Sequence, residues 1–189
     1  MCGVLGLFGN EYVAQDIYDG LITLQHRGQD AAGMVTFDGE NFQMKKGLGL
    51  VKSVFRTKNM MRLQGGVGIG HTRYSTIGNG DAGDAQPFMN NAFFGVILAH
   101  NGNLFNSHEL KAELFEKDRR LVNSSCDAEV VLNLFTKALT KQKVNGEVKF
   151  EHLCNAVSSV FKRSRGAYSV VSYIAKQGMV AFRDPHGIR

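Results

Sequence analysis

Residues 1–9 read MCGVLGLFG. Positions 3–9 of this stretch are apolar with regularly spaced glycines, a pattern that predicts a buried strand beginning almost at the first residue. Cys2 directly precedes that strand, and removal of the initiator Met would make it the N-terminal residue. The opening of the chain therefore places a thiol, and with it a free α-amine, at the start of a core strand.

An N-terminal cysteine can supply its own general base. The reference pKa is about 8.5 for a thiol and about 7.7–8.0 for an α-amine, so part of the amine is neutral near pH 7.5 and can accept the thiol proton. The plainer interpretation is that Cys2 merely happens to precede a strand, and its position alone does not decide between the two. Cys126 and Cys154 fall in or beside amphipathic helical segments, where a free cysteine is usually a small core residue.

The composition is that of an ordinary globular domain and excludes several classes. The 189 residues suit one domain or two small ones, and 43% hydrophobic residues with 2 prolines exclude disordered and collagen-like chains. The net charge is +5, from 22 basic and 17 acidic residues, but the basic residues are dispersed and not interleaved with aromatic ones, which argues against nucleic-acid binding. No apolar run reaches the roughly 18 residues of a membrane span, and the N-terminus lacks the basic region of a secretory signal. With three widely spaced cysteines, we expect a reduced, cytoplasmic protein without a metal site.

Hydrophobic periodicity predicts strands at both ends of the chain and helices between them. Predicted strands cover residues 3–9, 31–38, 42–48, 66–73, 94–100, 167–174 and 179–183. Predicted helices cover residues 12–25 behind a possible Asn10 cap, 107–117 with Asn106 and Glu109 in capping-box spacing, 127–140 and 150–163, with short helical patterns near 50–64 and a long loop at 74–86. This order favours a layered α+β domain in which the strands of the two termini share sheets.

Polar clusters follow three of these elements, where functional sites often lie. They are His26-Arg27-Gly28-Gln29-Asp30, His71-Thr72-Arg73 and His100-Asn101-Gly102-Asn103. An amide side chain beside a glycine N–H, as in Asn101-Gly102, is a ready pair of donors for a developing oxyanion. The same dipeptide is equally typical of a β-turn that simply ends the strand at 94–100.

Eight segments of the chain carry a resemblance to a known family. They are MCGVLGLFG, QHRGQDAAG, GIGHTRYST, AQPF, LAHNGNL, SCDAEVVLNLF, RGAYS and FRDPHGIR. Together they resemble the glutaminase domains of amidophosphoribosyltransferases, which belong to the N-terminal-nucleophile glutamine amidotransferases, and the resemblance covers essentially all 189 residues. It implies an α+β fold, the four-layer αββα sandwich of N-terminal-nucleophile hydrolases.

The resemblance also implies roles for individual residues. Cys2 matches the nucleophile, and Asn101 with Gly102 matches the oxyanion hole. The implied substrate-binding residues are Arg27 and Gly28 in the pocket wall, Arg73 for the α-carboxylate, Thr76 beside it and Asp127 for the α-ammonium. The chain departs from its relatives at Cys126, where they commonly carry Ser or Thr before the aspartate, and this leaves Asp127 in place.

The activity implied is hydrolysis of the side-chain amide of L-glutamine to glutamate and ammonia through a cysteine thioester. In the family, the ammonia forms phosphoribosylamine in the first step of de novo purine synthesis. We therefore expect a glutaminase domain at 1–189, with no cofactor of its own. A phosphoribosyltransferase domain is expected after residue 189, with its Mg²⁺ site, in a full-length homo-oligomer. Two alternatives remain: the glutaminase domain of another amidotransferase, such as glucosamine-6-phosphate synthase, or a non-catalytic glutamine-binding module.

Overall fold

Two antiparallel sheets form the centre of the protein in a computed structural model that describes residues 1–9, 11–74 and 81–189. The strands in these ranges are β1 (Gly3–Phe8), β2 (Ala31–Phe37), β3 (Phe42–Leu48), β4 (Val67–Arg73), β5 (Phe88–Asn90), β6 (Val96–Leu104), β7 (Gly166–Ile174) and β8 (Gly178–Arg183). The helices are α1 (Ala14–Leu24), α2 (Val51–Val54), α3 (Thr57–Met60), α4 (Ser107–Asp118), α5 (Asp127–Thr140) and α6 (Phe150–Arg163), with 3₁₀ turns at Gln25–Arg27 and Ala82–Asp84.

The first sheet has the strand order β1-β4-β2-β3 and the second has the order β5-β6-β7-β8. The N-terminal strand β1 and the C-terminal strands β7 and β8 therefore belong to different sheets, and the expectation that the two termini share sheets is wrong. Each terminus instead pairs with strands nearer to it in the sequence, and β1 meets β7 and β6 only across the interface between the sheets.

Three apolar cores separate four layers. Ile17 and Leu21 of α1 pack on the outer face of the first sheet, Ile69 and Ile97 meet between the two sheets, and Leu132 of α5 lies in the core between the second sheet and its helices. All five side chains are fully buried, and burying each such side chain stabilises the fold by about 1.5–3 kcal/mol. The order of layers is α, β, β, α, which confirms the expected fold class.

Alternating glycines in β4 let α1 lie close to the first sheet. A Cβ atom at Gly68 would stand 2.6 Å from Ile17 Cδ1, and one at Gly70 would stand 2.5 Å from Ile17 Cγ2. Both distances are shorter than any ordinary van der Waals contact. The Gly-spaced pattern at 66–73 thus serves helix packing while the strand itself forms as predicted.

Predicted and observed element bounds agree best for the amphipathic helices. α5 and α6 have the predicted bounds, whereas the helical patterns near 50–64 form only the single turns α2 and α3. The Asn10 cap lies outside the described residues, and the described helix α1 begins at Ala14. Within the described ranges, no helix combines the length and the apolar character needed to cross a lipid bilayer.

Three local expectations are wrong. Asn106 does not cap α4, because its side chain donates to the Arg163 carbonyl at 2.9 Å and accepts from the Arg165 N–H at 2.9 Å, so that it ties α4 to the start of β7. Cys154 is exposed rather than part of a core. The strand at 94–100 does not end in an Asn-Gly turn: β6 continues to Leu104, because residues 101–104 pair with β7.

Candidate active site

Cys2 lies at the end of the first sheet, immediately before β1. Because Gly3 pairs with Thr72, this position is next to the end of β4, and Cys2 Sγ lies 3.8 Å from the carbonyl oxygen of Tyr74. The side chain is only partly buried. The strand pairing of the first sheet thus places the candidate nucleophile beside Arg73 and Tyr74.

Asn101 reaches the same point from the second sheet. The Cys2 N–H donates to Asn101 Oδ1 at 3.2 Å. Because the amide oxygen of Asn101 is the acceptor in this contact, its NH₂ group is directed elsewhere and remains a donor. The two sheets therefore bring a thiol and an amide donor together across 99 residues of sequence.

Arg27 holds the cysteine from the other side. Its Nε donates to the Cys2 carbonyl at 3.0 Å, and its side chain extends along Met1. A pocket of about 340 Å³ opens here, lined by Cys2, Val4, Leu24, Arg27, Asn101, Ser169 and Val171. Met1 is 57% exposed, so this end of the chain is accessible for processing.

The thiol of Cys2 is not activated by a lowered pKa. Burial raises its pKa; the Tyr74 contact and the charge of Arg73 act in the opposite direction, and Asp127 reinforces the increase. A thiol with a raised pKa is protonated at neutral pH and needs a nearby proton acceptor to react. With Met1 attached, the Cys2 nitrogen is an amide and cannot accept that proton.

The edge of β6 explains how Gly102 could act as a second donor. Backbone N–H groups of a strand alternate between its two edges. The His100 N–H donates to Gln86 Oε1 at 2.7 Å and the Leu104 N–H donates to Asp127 Oδ2 at 2.8 Å, so both point to the edge opposite β7. The Gly102 N–H lies between them and points to the same edge. In the described part of the chain, β5 pairs with this edge of β6 only at residues 96–98, so the edge is open at Gly102. A backbone donor is thus presented next to Asn101.

Arg73 is buried at the end of β4 and forms an ion pair. Its Nη2 lies 3.2 Å from Asp84 Oδ2, and the arginine is 3% exposed. Gly28 packs directly on the peptide that follows Arg73, where a Cβ would stand 2.5 Å from the Arg73 carbonyl carbon and 2.8 Å from the Tyr74 nitrogen. Residue 28 is therefore a close approach between two backbones, which only glycine permits.

Asp127 begins α5 and is 5% exposed. Its Oδ1 lies 3.5 Å from His100 Nε2, and its Oδ2 accepts from the Leu104 N–H. Burial alone would raise its pKa, but His100 and the Leu104 N–H hold the pKa of this carboxyl below its usual value. A buried, ionised carboxylate thus stands at the open edge of β6.

The structure brings the sequence-predicted residues into two adjoining groups. Cys2, Arg27 and Asn101 share the pocket, whereas Arg73 and Asp127 do not line it and affect the Cys2 thiol through their charges. Thr76 lies outside the described residues. Among the described residues, no cluster of three His, Cys, Asp or Glu side chains could hold a metal ion.

Sequence reasoning missed the partners of the two charged residues. Asp84 pairs with Arg73, and His100 pairs with Asp127 and is itself contacted by Gln86. Gln86 falls in the AQPF segment, which contributed to the family resemblance but was given no role. No spacing rule links these residues to their partners, because each contact depends on the folded sheets.

Comparisons with known proteins concern the sequence and the fold as a whole. The family model described as a glutamine amidotransferase domain matches residues 57–189. The amidophosphoribosyltransferases of Escherichia coli and Pasteurella multocida are each 48% identical over 190 residues, covering 100% of this chain but 37% and 38% of their own lengths. The solved structure of glutamine phosphoribosylpyrophosphate amidotransferase from B. subtilis, complexed with ADP and GMP, superposes with a TM-score of 0.78 at 34% identity, covering 100% of this chain and 38% of that one. The chain thus spans just over a third of the relatives that it matches.

Proposed function

Because the chain belongs to the glutamine amidotransferase domain family, an enzyme family, we propose that it hydrolyses the side-chain amide of free L-glutamine to glutamate and ammonia. The observation that carries this proposal is the contact between the Cys2 nitrogen and Asn101 Oδ1. The nitrogen that becomes the N-terminal amine belongs to the same residue as the thiol. The contact brings this nitrogen beside the amide that is proposed as an oxyanion donor.

The base in this proposal is the α-amine of Cys2. After loss of Met1, the amine would accept the thiol proton, and the thiolate would attack the amide carbon of glutamine. Asn101 Oδ1, 3.2 Å from the nitrogen in the present structure, would hold the amine in place. The resulting ammonium would then return its proton to the departing ammonia, leaving a glutamyl thioester that water hydrolyses.

The oxyanion of the tetrahedral intermediate would be stabilised by Asn101 and Gly102. The oxygen of the Asn101 amide, and not its nitrogen, contacts the Cys2 N–H, so the NH₂ group is available as a donor. The Gly102 N–H points to the open edge of β6. Two such donors, fixed by a sheet before the substrate arrives, stabilise charge that develops only in the transition state.

Specificity for a free amino acid would come from Arg73 and Asp127. A guanidinium and a carboxylate match the α-carboxylate and α-ammonium of glutamine, and the charges of both residues act at Cys2. Arg27 and Gly28 complete the wall, and Thr76 is proposed beside Arg73. The proposed chemistry uses no cofactor.

The wider role is also a proposal, because the relatives are longer than this chain. We propose that the ammonia passes to a phosphoribosyltransferase domain that carries its own Mg²⁺ site, in a homo-oligomeric protein that makes phosphoribosylamine for purine synthesis. The names of the relatives support this role, since the matches are to amidophosphoribosyltransferases. A cytoplasmic location is proposed with it, supported by the three unpaired cysteines.

The direct test is ammonia release by the purified protein from L-glutamine and from N-acetylglutamine. We expect L-glutamine to be hydrolysed and N-acetylglutamine hardly at all, because the acetylated nitrogen carries no charge for Asp127. Binding of L-glutamine without ammonia release, from a chain shown by mass to lack Met1, would favour the non-catalytic binding module. Equal rates on both compounds would remove Asp127 from the proposed site.

A further inference from the structure

The short segment Asp84–Gln86 lies between the two charged residues of the proposed substrate site. It begins at the last residue of the 3₁₀ turn at Ala82–Asp84, and its three residues are only 1%, 0% and 3% exposed. Polar side chains that are buried to this extent are normally committed to specific partners. Asp84 contacts Arg73 of β4 and Gln86 contacts His100 of β6, and both side chains also reach the turn before α5, at Ser125 and Cys126 respectively.

Asp84 contacts Arg73 and the turn before α5. Its Oδ2 lies 3.2 Å from Arg73 Nη2 and accepts from Ser125 Oγ at 2.6 Å, while its Oδ1 accepts from the Ser125 N–H at 2.8 Å. Burial alone would raise the pKa of Asp84, but the two Ser125 donors and Arg73 hold it below its usual value. An ionised carboxylate held by two Ser125 donors thus contacts Nη2 of the Arg73 guanidinium.

Gln86 contacts His100. Its Oε1 accepts from the His100 N–H at 2.7 Å, which orients the amide so that Nε2 faces His100 Nδ1 at 3.5 Å. An amide nitrogen is a donor, so Nδ1 is the acceptor and the ring proton sits on Nε2. That nitrogen faces Asp127 Oδ1 at 3.5 Å. The same Gln86 Nε2 also lies 3.7 Å from Cys126 Sγ, beside Asp127. Gln86 thus favours the His100 tautomer whose protonated nitrogen faces Asp127.

The middle of the segment is anchored to the first sheet. The Ala85 carbonyl accepts from Lys46 Nζ at 2.6 Å, and this ammonium lies 4.5 Å from the centre of the Phe88 ring. Lys46 is on β3, at the edge of the first sheet, whereas His100 is on β6 of the second. The segment therefore links both sheets to both charged residues.

We propose that Asp84–Gln86 is a positioning segment that sets the two ends of the substrate site separately: Asp84 orients Arg73 toward an α-carboxylate, and Gln86, through His100, orients Asp127 toward an α-ammonium. The inference rests on the proposed function and deepens it. Neither Asp84 nor Gln86 touches the substrate in this account, so both are positioning residues.

The test uses two competitive inhibitors that each keep one charged end of glutamine. Glutaramic acid has the carboxylate and no amine, and 4-aminobutanamide has the ammonium and no carboxylate. We expect Asp84→Asn to weaken inhibition by glutaramic acid about tenfold and to leave 4-aminobutanamide unchanged, since an ionic hydrogen bond is lost at one end only. Gln86→Met should do the reverse. For L-glutamine, both variants should raise KM more than they lower kcat.

A merely structural role would not produce this crossed pattern. Equal weakening of both inhibitors by each variant, or no change, would overturn the inference. Tighter binding of glutaramic acid to Asp84→Asn would also overturn it, because Asp84 would then compete with the substrate for Arg73. A wild-type protein without glutaminase activity would overturn the proposed function as well, whereas an active wild type without the crossed pattern overturns only this inference.

A third variant covers the case in which Gln86→Met fails to fold. Lys46→Met releases the Ala85 carbonyl, and we expect it to weaken both inhibitors together by about threefold or more, as the loss of one hydrogen bond to a charged group would. Lys45→Met is the matched control, because adjacent residues of a strand point to opposite faces. If Lys46→Met leaves both inhibitors unchanged, the segment does not position the site.

Discussion

Two cysteines, Cys2 before β1 and Cys126 before α5, lie in the field of the same charged side chains. Burial raises the pKa of both thiols, to about 12 for Cys126; in both cases Arg73 lowers the pKa and Asp127 raises it. The difference is in their other neighbours. The Cys2 nitrogen contacts Asn101 and becomes an amine once Met1 is lost. Cys126 is 6% exposed at the edge of a hydrophobic core, where its Sγ lies 3.7 Å from Gln86 Nε2 and 3.9 Å from Asp127 Oδ1. The comparison shows that an amine on the same residue and a place in an open pocket, rather than a lowered thiol pKa, distinguish the proposed nucleophile.

The largest effect is expected from removing the thiol that has these neighbours. Cys2→Ala should reduce ammonia release from glutamine to background, because no thioester can form, while the fold persists since the side chain lies outside the three cores. Cys126→Ala should keep most of the activity and lose some stability through the small cavity that it leaves. Exposed Cys154→Ala is the neutral control. A Cys126→Ala variant that folds but is inactive would contradict the proposal that Cys2 is the nucleophile.

The next effect concerns Asn101, the amide that lines the same pocket as Cys2. Asn101→Ala removes an interaction made mainly in the transition state, so kcat should fall by about 10²–10³ with a modest change in KM. Steady-state kinetics on L-glutamine provides the measurement. If only KM changed, Asn101 would be a binding residue and the oxyanion would be stabilised elsewhere.

Arg73 acts on both thiols through its charge but is proposed to hold the substrate through its shape. Arg73→Lys keeps the charge and loses the planar fork, so KM for glutamine should rise about tenfold or more. Alkylation of Cys2 by a small neutral reagent should keep its rate. A large change in that rate with an unchanged KM would assign Arg73 to the field around the thiol instead of the substrate.

The smallest effect tests burial at a residue outside both cysteine sites. Burial and then His100 lower the pKa of His71 to about 3, from an ordinary value of 6.5. The unfolded chain therefore binds a proton that the folded chain does not between about pH 6.5 and pH 3, and folding stability should fall on acidification by about 1.4 kcal/mol per pH unit from this group. Urea unfolding between pH 7 and pH 4 measures this slope. His71→Gln should flatten it and the exposed His108→Gln should not; an equal slope in wild type and His71→Gln would show that His71 is not the group responsible.

Patterns that depend on neighbours in the sequence predicted the fold well. α5 and α6 have their predicted bounds because apolar residues at helical spacing must face a core wherever the helix lies. Asn101-Gly102 shows the limit. Local statistics favour a turn there, but pairing of Asn101 with Ser169 and of Gly102 with Tyr168 continues the strand. That pairing lies more than 60 residues away in the sequence.

The site was predictable where chemistry resides in one residue and not where it resides in a pair. Cys2 is recognisable from its position, because an N-terminal residue carries its own amine. The partnership of Arg73 with Asp84, and of Asp127 with His100, arises only when the sheets bring those residues together. Gln86 orients His100, but its residue type alone does not predict that role from the sequence. It only lies in a segment, AQPF, that resembles the family.

The most direct test of the central claim is peptide mapping after treatment with a chloroketone analogue of glutamine. The account predicts a single adduct, on Cys2, in chains that have lost Met1, with Cys126 and Cys154 unmodified. Chains that retain Met1 should stay unlabelled, because their Cys2 nitrogen is an amide. An adduct on Cys126, or equal labelling of Cys2 in chains that retain Met1, would contradict the assignment of Cys2 as a nucleophile activated by its own amine.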